Sequence, residues 1–62
     1  MYRNEATEYV RRIRNKAKRE YAISFHAYLI AGKVGPEPPR PPELSGMAAQ
    51  AVKLNLYALC KG

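Results

Sequence analysis

The 62-residue chain contains no aspartate, one cysteine (Cys60) and one histidine (His26). Each scarcity removes a class of chemistry. A lone cysteine has no partner within the chain, so no internal disulfide holds the fold. One imidazole and one thiol fall short of the four ligands of a tetrahedral zinc cage, so neither a metal nor any other cofactor is expected. The five acids are all glutamate. With so few carboxylates and no glycine-rich phosphate loop, general acid–base catalysis and nucleotide hydrolysis lack their parts. A Cys–His nucleophile needs contact geometry that two residues far apart in sequence do not specify. The chain is therefore expected to be no enzyme.

Long hydrophobic runs are missing as well. The longest weakly polar stretch, YAISFHAYLIAGKV over residues 21–34, includes His26 and Lys33, and a bilayer-spanning helix needs roughly twenty apolar residues. This stretch also lies too far from the N-terminus, behind too many charges, to be a secretory signal. A single thiol without such a signal fits a reducing compartment, and the expected location is the cytoplasm. There is no internal repeat and no strand-like alternation.

A chain of this length buries only about 60% of the surface its unfolded form exposes. Domains this small draw extra stability from disulfides, a metal or a partner chain. The first two are removed by composition, so a homodimer is expected.

What the chain does contain is positive charge, held at one end. Residues 1–19 carry seven Lys/Arg against two Glu, and residues 20–62 carry four against three, so +5 of the net +6 lies in the first third. The run RRIRNKAKR over residues 11–19 has six cations and no acid. It lies inside a helical pattern expected over residues 4–32, with Asn4 as N-cap and Glu5 and Glu8 in the first turn, where the helix dipole favours them. Ala6, Tyr9, Val10, Ile13, Ala17, Tyr21, Ser24, Ala27, Tyr28 and Ala31 recur at three- and four-residue spacing and draw one stripe. Beyond Tyr21, Ile23, Phe25, Leu29 and Ile30 add apolar side chains outside that stripe, so this half is expected to be core while the basic half projects. Gly32 and Gly35 supply the stop.

Residues 35–44, GPEPPRPPEL, hold all five prolines and read as a polyproline joint of about 30 Å. That length lets the next helix be carried back along the first or across to a partner. The second helix is expected over residues 45–61 with Ser45 as N-cap. Its apolar face is read as Met47, Ala48, Ala51, Val52, Leu54, Ala58 and Leu59, with Leu56 at the flank and Tyr57 on the polar side. The expected fold is thus all-α, a two-helix hairpin in one domain, dimerising into a helical bundle.

Several residues carry candidate functions. Arg3, Arg11, Arg12, Arg14, Lys16, Lys18 and Arg19 present dense donors of the kind that bind phosphate, and Asn15 among them has the groups to read an adenine edge. The competing interpretation is a solvated, solubilising face. Glu20 falls on the first helix's stripe and Asn55 on the second helix's apolar face. A buried Asn fixes register and oligomeric state, so Asn55, Val52, Leu59 and Glu20 are the expected dimer and register residues, with Asn55 bonding to Glu20 or Ser24. His26 and Cys60 read as packing or flank residues. The function these features favour is non-catalytic binding of DNA or RNA through the phosphate backbone. Its rivals are a regulator or inhibitor that docks on an acidic protein surface, and association with a membrane surface without spanning it.

Overall fold

The computed structural model describes residues 5–60, and these form three helices: α1 (Glu5–Arg12), α2 (Lys16–Ile30) and α3 (Gly46–Cys60). The all-helical expectation holds and the two-helix hairpin does not. The helix expected over residues 4–32 is divided at Ile13, Arg14 and Asn15 and ends at Ile30. Asn4 and Lys61 lie outside the described residues.

Asn15 makes the division. Its backbone is extended (φ −68°, ψ 125°), and its side-chain oxygen accepts the Lys18 backbone N–H at 3.0 Å, which caps α2. The Ile13 N–H closes the last turn of α1 on the Val10 carbonyl at 3.2 Å. The Ile13 carbonyl in turn accepts from Arg19 Nη1 at 3.3 Å, bracing the bend from the α2 side. An unbroken helix would set Arg12 against Lys16, and Arg14 against Lys18, at i,i+4 spacing, where like charges repel by a few tenths of a kcal/mol per pair. The break separates both pairs. It also leaves Arg11 and Arg12 at the negative end of α1, whose first turn carries Glu5 and Glu8. Removing the cap with Asn15→Ala is expected to cost about 1 kcal/mol and to lower the melting temperature by about 4–8 °C, while Asn15→Asp retains most of the stability. Thermal melts followed by circular dichroism measure this, and an unchanged melt for Asn15→Ala would mean that α2 is not capped here.

The far end of α2 closes as a Schellman motif. The Lys33 N–H bonds to the Tyr28 carbonyl at 2.9 Å and the Gly32 N–H to the Leu29 carbonyl at 3.1 Å. Gly32 takes φ +86° there, the left-handed conformation that glycine adopts without a Cβ penalty. The chain then runs through the prolines without regular structure and is pinned at three places. Glu37 pairs with Lys53 of α3 at 2.8 Å. The Leu44 N–H bonds to the Pro41 carbonyl at 3.1 Å, and Arg40 donates to the Leu44 carbonyl. Leu44 itself is buried in the core. Ser45 then caps α3: its hydroxyl accepts from the Ala48 N–H at 3.1 Å and its carbonyl from the Ala49 N–H at 3.0 Å.

The length of the joint decides the direction of α3. Phe25 and Lys53 adjoin one another, the rings of Phe25 and Tyr57 are 5.6 Å apart, and Leu29 shares a depression with Tyr57 and Cys60. Positions that advance along α2 thus meet positions that advance along α3. The two helices run in the same sense, and the joint carries the chain back along α2 to the starting end, one of the two courses its length allows.

The core comprises Ala6 and Val10 from α1, Tyr21, Ala22 and Phe25 from α2, Leu44, and Ala49, Val52 and Leu56 from α3. Tyr9, Ile13, Tyr28, Leu29, Ala48 and Leu59 are half-buried against it. Phe25 is at the centre, fully buried among the rings of Tyr21, Tyr28 and Tyr57.

Two expectations about dimer and register residues are corrected by this packing. Val52 is fully buried and Leu59 packs on the core, so both are used within the chain. Glu20 and Asn55 are exposed and neither is a buried polar residue. Asn55 does bond across a helix–helix contact, but its partner is Tyr9 of α1 (Nδ2 to Oη, 3.1 Å), with Glu20 and Ser24 both exposed on α2. The bond latches α3 to α1. The apolar face of α3 is also rotated from the expected one. Leu56 lies at its centre, and Met47 and Leu54 are exposed.

Candidate functional site

The sequence places the cations on what the structure shows to be an elbow. Arg11 and Arg12 close α1, Arg14 and Asn15 form the bend, and Lys16, Lys18 and Arg19 open α2. Arg11, Arg12, Arg14, Asn15 and Lys16 are exposed, and Lys18 and Arg19 are half-buried. Arg3 lies outside the described residues.

Not all of these side chains are equally available. Arg12 pairs with Glu8 at 3.4 Å in an i,i+4 contact whose side chains are 82% and 62% exposed. Such a pair contributes at most a few tenths of a kcal/mol and opens readily to a competing anion. Arg19 is committed to the Ile13 carbonyl and Asn15 to the Lys18 N–H. These two hold the elbow's shape, and the Asn15 oxygen is occupied as a cap acceptor. Among the described residues, Arg11, Arg14, Lys16 and Lys18 make no ion pair. They are the unneutralised cations of the site.

The electrostatics of α2 sharpen the point. Its first turn contains no acid and carries Lys16, Lys18 and Arg19 on the positive end of the helix dipole, where cations are unfavourable by a few tenths of a kcal/mol each. α1 follows the dipole rule at both ends and α2 violates it at the elbow. A polyanion lying there would relieve both the dipole conflict and the mutual repulsion of the cations.

The opposite end of α2 differs in character. An open depression of about 400 Å³ is lined by Leu29, Lys33, Tyr57 and Cys60, with the Lys33 ammonium 5.0 Å from the centre of the Tyr57 ring. Desolvation pushes the Cys60 thiol up from its ordinary pKa, which keeps it protonated and poorly nucleophilic at neutral pH. His26 is half-buried on α2. Among the described residues no three His, Cys or Glu side chains come together in a way that could hold a metal ion, and no helix is long and apolar enough to cross a membrane.

Between the two ends, Lys53 joins α3 to the joint and to α2. Its ammonium bonds to Glu37 and lies 5.9 Å from the Phe25 ring centre. The bond to Glu37 raises the Lys53 pKa above its ordinary 10.5, and burial raises Tyr21 above 10.0 against the opposing pull of Lys53. Both groups hold their protons more tightly in the folded state. Their stabilisation is complete below those ordinary values and is lost as pH rises through the raised ones. The urea midpoint is therefore expected to be flat from about pH 7 to 9 and to fall above about pH 10. Tyr21→Phe should flatten that fall, and a decline as steep as in the parent chain would contradict the assignment.

Sequence reasoning missed the bend, and with it the structural duties of Asn15 and Arg19. The available signal was a cap-forming residue directly before Lys16 in an otherwise unbroken cationic run. No protein-family model matches the chain, and neither does any curated protein or solved structure.

Proposed function

We propose that the chain is a non-catalytic nucleic-acid-binding protein that holds the phosphate backbone on its α1–α2 elbow. One observation carries this reading. Arg11, Arg14, Lys16 and Lys18 fall in an acid-free run of the sequence at one bend and carry no ion pair among the described residues, while Glu8 is paired with Arg12, Glu37 with Lys53, and Glu20 follows Arg19 in α2 with no ion pair to these cations. A solubilising face gains from interspersed charges of both signs, whereas an acid-free cluster repels itself and is stabilised by a polyanion. Arg19 and Asn15 act as positioning residues, fixing the angle at which α1 and α2 offer their cations. DNA and RNA both present the phosphates this surface needs, and phosphate contacts set affinity without setting sequence preference.

The test is the salt dependence of binding to a 20-base-pair DNA duplex, a single strand and an RNA hairpin. Four free cations predict a log–log slope of about −3.6 on duplex DNA, at roughly −0.9 per phosphate neutralised. A slope near zero would remove the proposal. So would a partner from cell extract that remains bound after nuclease treatment while all three probes fail to bind.

A further inference from the structure

α3 is apolar on two sides, and this molecule covers only one of them. Ala49, Val52 and Leu56 face the core. On the other side Met47, Ala51, Leu54 and Ala58 are all exposed, Met47 by 86% and Leu54 by 57%. Their spacing of four, three and four residues is the d–a–d–a spacing of a heptad seam, so the four side chains form one continuous stripe along the helix. A helix that is apolar on two opposite faces leaves one of them in water unless a second surface covers it.

We propose that a second copy of this chain covers the stripe, α3 against α3 about a two-fold axis. Charge selects the occupant. None of the exposed positions on α3 is charged, and the one described cation of this helix, Lys53, is held by Glu37. Nucleic acid or an acidic protein finds no counter-charge among the described residues of this stripe, since the acid-free cation cluster is on the elbow and Lys33 lies at the Tyr57 flank of α3. A second copy presents an equally neutral stripe, so two chains of net charge +6 meet here with no like charges opposed among the described residues of α3. The contact is isologous, each copy offering the same patch. Ala51 and Ala58 let the two helix axes approach to the short end of the usual 8–10 Å range, and Met47 and Leu54 fill the space between them.

The size of the contact sets its strength. α3 has 15 residues and is about 22 Å long, and two such helices packed along their length bury on the order of 1,000 Å² in total, the lower edge of specific interfaces. The dimer is therefore one of micromolar rather than nanomolar affinity. It differs from the dimer expected from sequence alone, because Val52 and Leu59 are spent inside the monomer and the seam is the opposite side of the same helix.

Sedimentation equilibrium of the full chain, without nucleic acid, tests this between about 5 and 500 µM. The expected result is a rise from the monomer mass towards twice that mass, undiminished by added salt because screening reduces the repulsion between two cationic chains. Leu54→Glu sets like charges against each other across the axis and should raise the dissociation constant at least tenfold at unchanged helicity. If that variant loses helicity, Met47→Glu, at a position 86% exposed, takes its place. A wild-type chain that keeps the monomer mass throughout would overturn the proposal, as would a charged variant that dimerises as well as wild type. Sedimentation of monomeric chain with phosphatidylcholine vesicles, lost in Leu54→Glu, would assign the stripe to a lipid surface instead. The proposal stands apart from the elbow's function, since no polyanion is present in any of these measurements.

Discussion

Phe25→Ala is expected to leave most of the chain unfolded at room temperature. Phe25 is fully buried, and three tyrosine rings surround it: Tyr21 at 5.9 Å, nearly parallel, Tyr28 at 5.6 Å, tilted, and Tyr57 at 5.6 Å, edge-on. Truncating a buried phenylalanine costs about 3–5 kcal/mol, because the lost transfer energy is joined by the energy of the cavity left behind. Loss of the ring–ring geometry acts in the same direction. Against that, the single core of a 62-residue chain without disulfide or metal supplies only about 3–5 kcal/mol in total. With nine buried hydrophobic residues in the core among the described residues, the cavity has few neighbours able to collapse into it. Phe25→Leu keeps most of the volume and should cost about 1–1.5 kcal/mol, leaving a cooperative transition at a lower temperature. The measurement is urea unfolding followed by helical circular dichroism. A Phe25→Ala chain with a midpoint close to wild type would mean that α2 and α3 do not meet through this ring.

Phe25 also shows how far the sequence reveals the packing. Its place on an apolar half-helix is plain from Tyr21, Ile23, Leu29 and Ile30 around it, and so is the expectation that this half is core. Which of those residues faces inward is not. When apolar side chains surround a helix, the phase of its buried face is set by the partner helix rather than by the helix itself. Ile23 and Ile30 are outside, 52% and 68% exposed, and Phe25 is inside. The same degeneracy governs α3, where Lys53 is the one charged residue and little marks a polar side. Two apolar stripes compete, and the joint decides between them. By returning the chain along α2 and fastening Glu37 to Lys53, it turns Leu56 to the core and Met47 and Leu54 to the outside.

The elements that were legible are those with local chemistry. Ser45 caps α3, Gly32 takes the left-handed turn that ends α2, and five prolines keep residues 35–44 free of helix. The bend at Asn15 is local as well. It was hidden because α1 and α2 each bury the same stripe, so Ala6 and Val10 before the bend and Tyr21 after it read as one periodic series. A three-residue interruption costs little periodicity, while the cap it creates is a single hydrogen bond that pattern counting does not register.

That bend makes the charge prediction specific. A chain carrying Arg11→Gln, Arg14→Gln, Lys16→Gln and Lys18→Gln is expected to lose about three to four orders of magnitude in affinity for duplex DNA at 0.1 M salt, the counterion-release contribution of four phosphate contacts. Its salt slope should fall by about 3.6 in the same experiment. Folding should survive, because none of the four belongs to the core and their removal eliminates like-charge repulsion around the bend. Two single variants separate a built site from a general effect of net charge. Arg14→Gln removes a cation at the bend, and Lys33→Gln removes one beside Tyr57 at the other end of α2. If phosphates lie on the elbow, the first lowers the slope by about 0.9 and the second leaves it unchanged. Arg12→Gln should fall between them, since part of its attraction to phosphate is spent on displacing Glu8. Asn15→Ala supplies the last comparison: it removes no charge but loosens the angle between the two sets of cations, so it should lower affinity while leaving the slope nearly intact. Equal slope changes for Arg14→Gln and Lys33→Gln would show that the bound polyanion responds to the charge of the whole molecule and that the elbow has no privileged place in binding it.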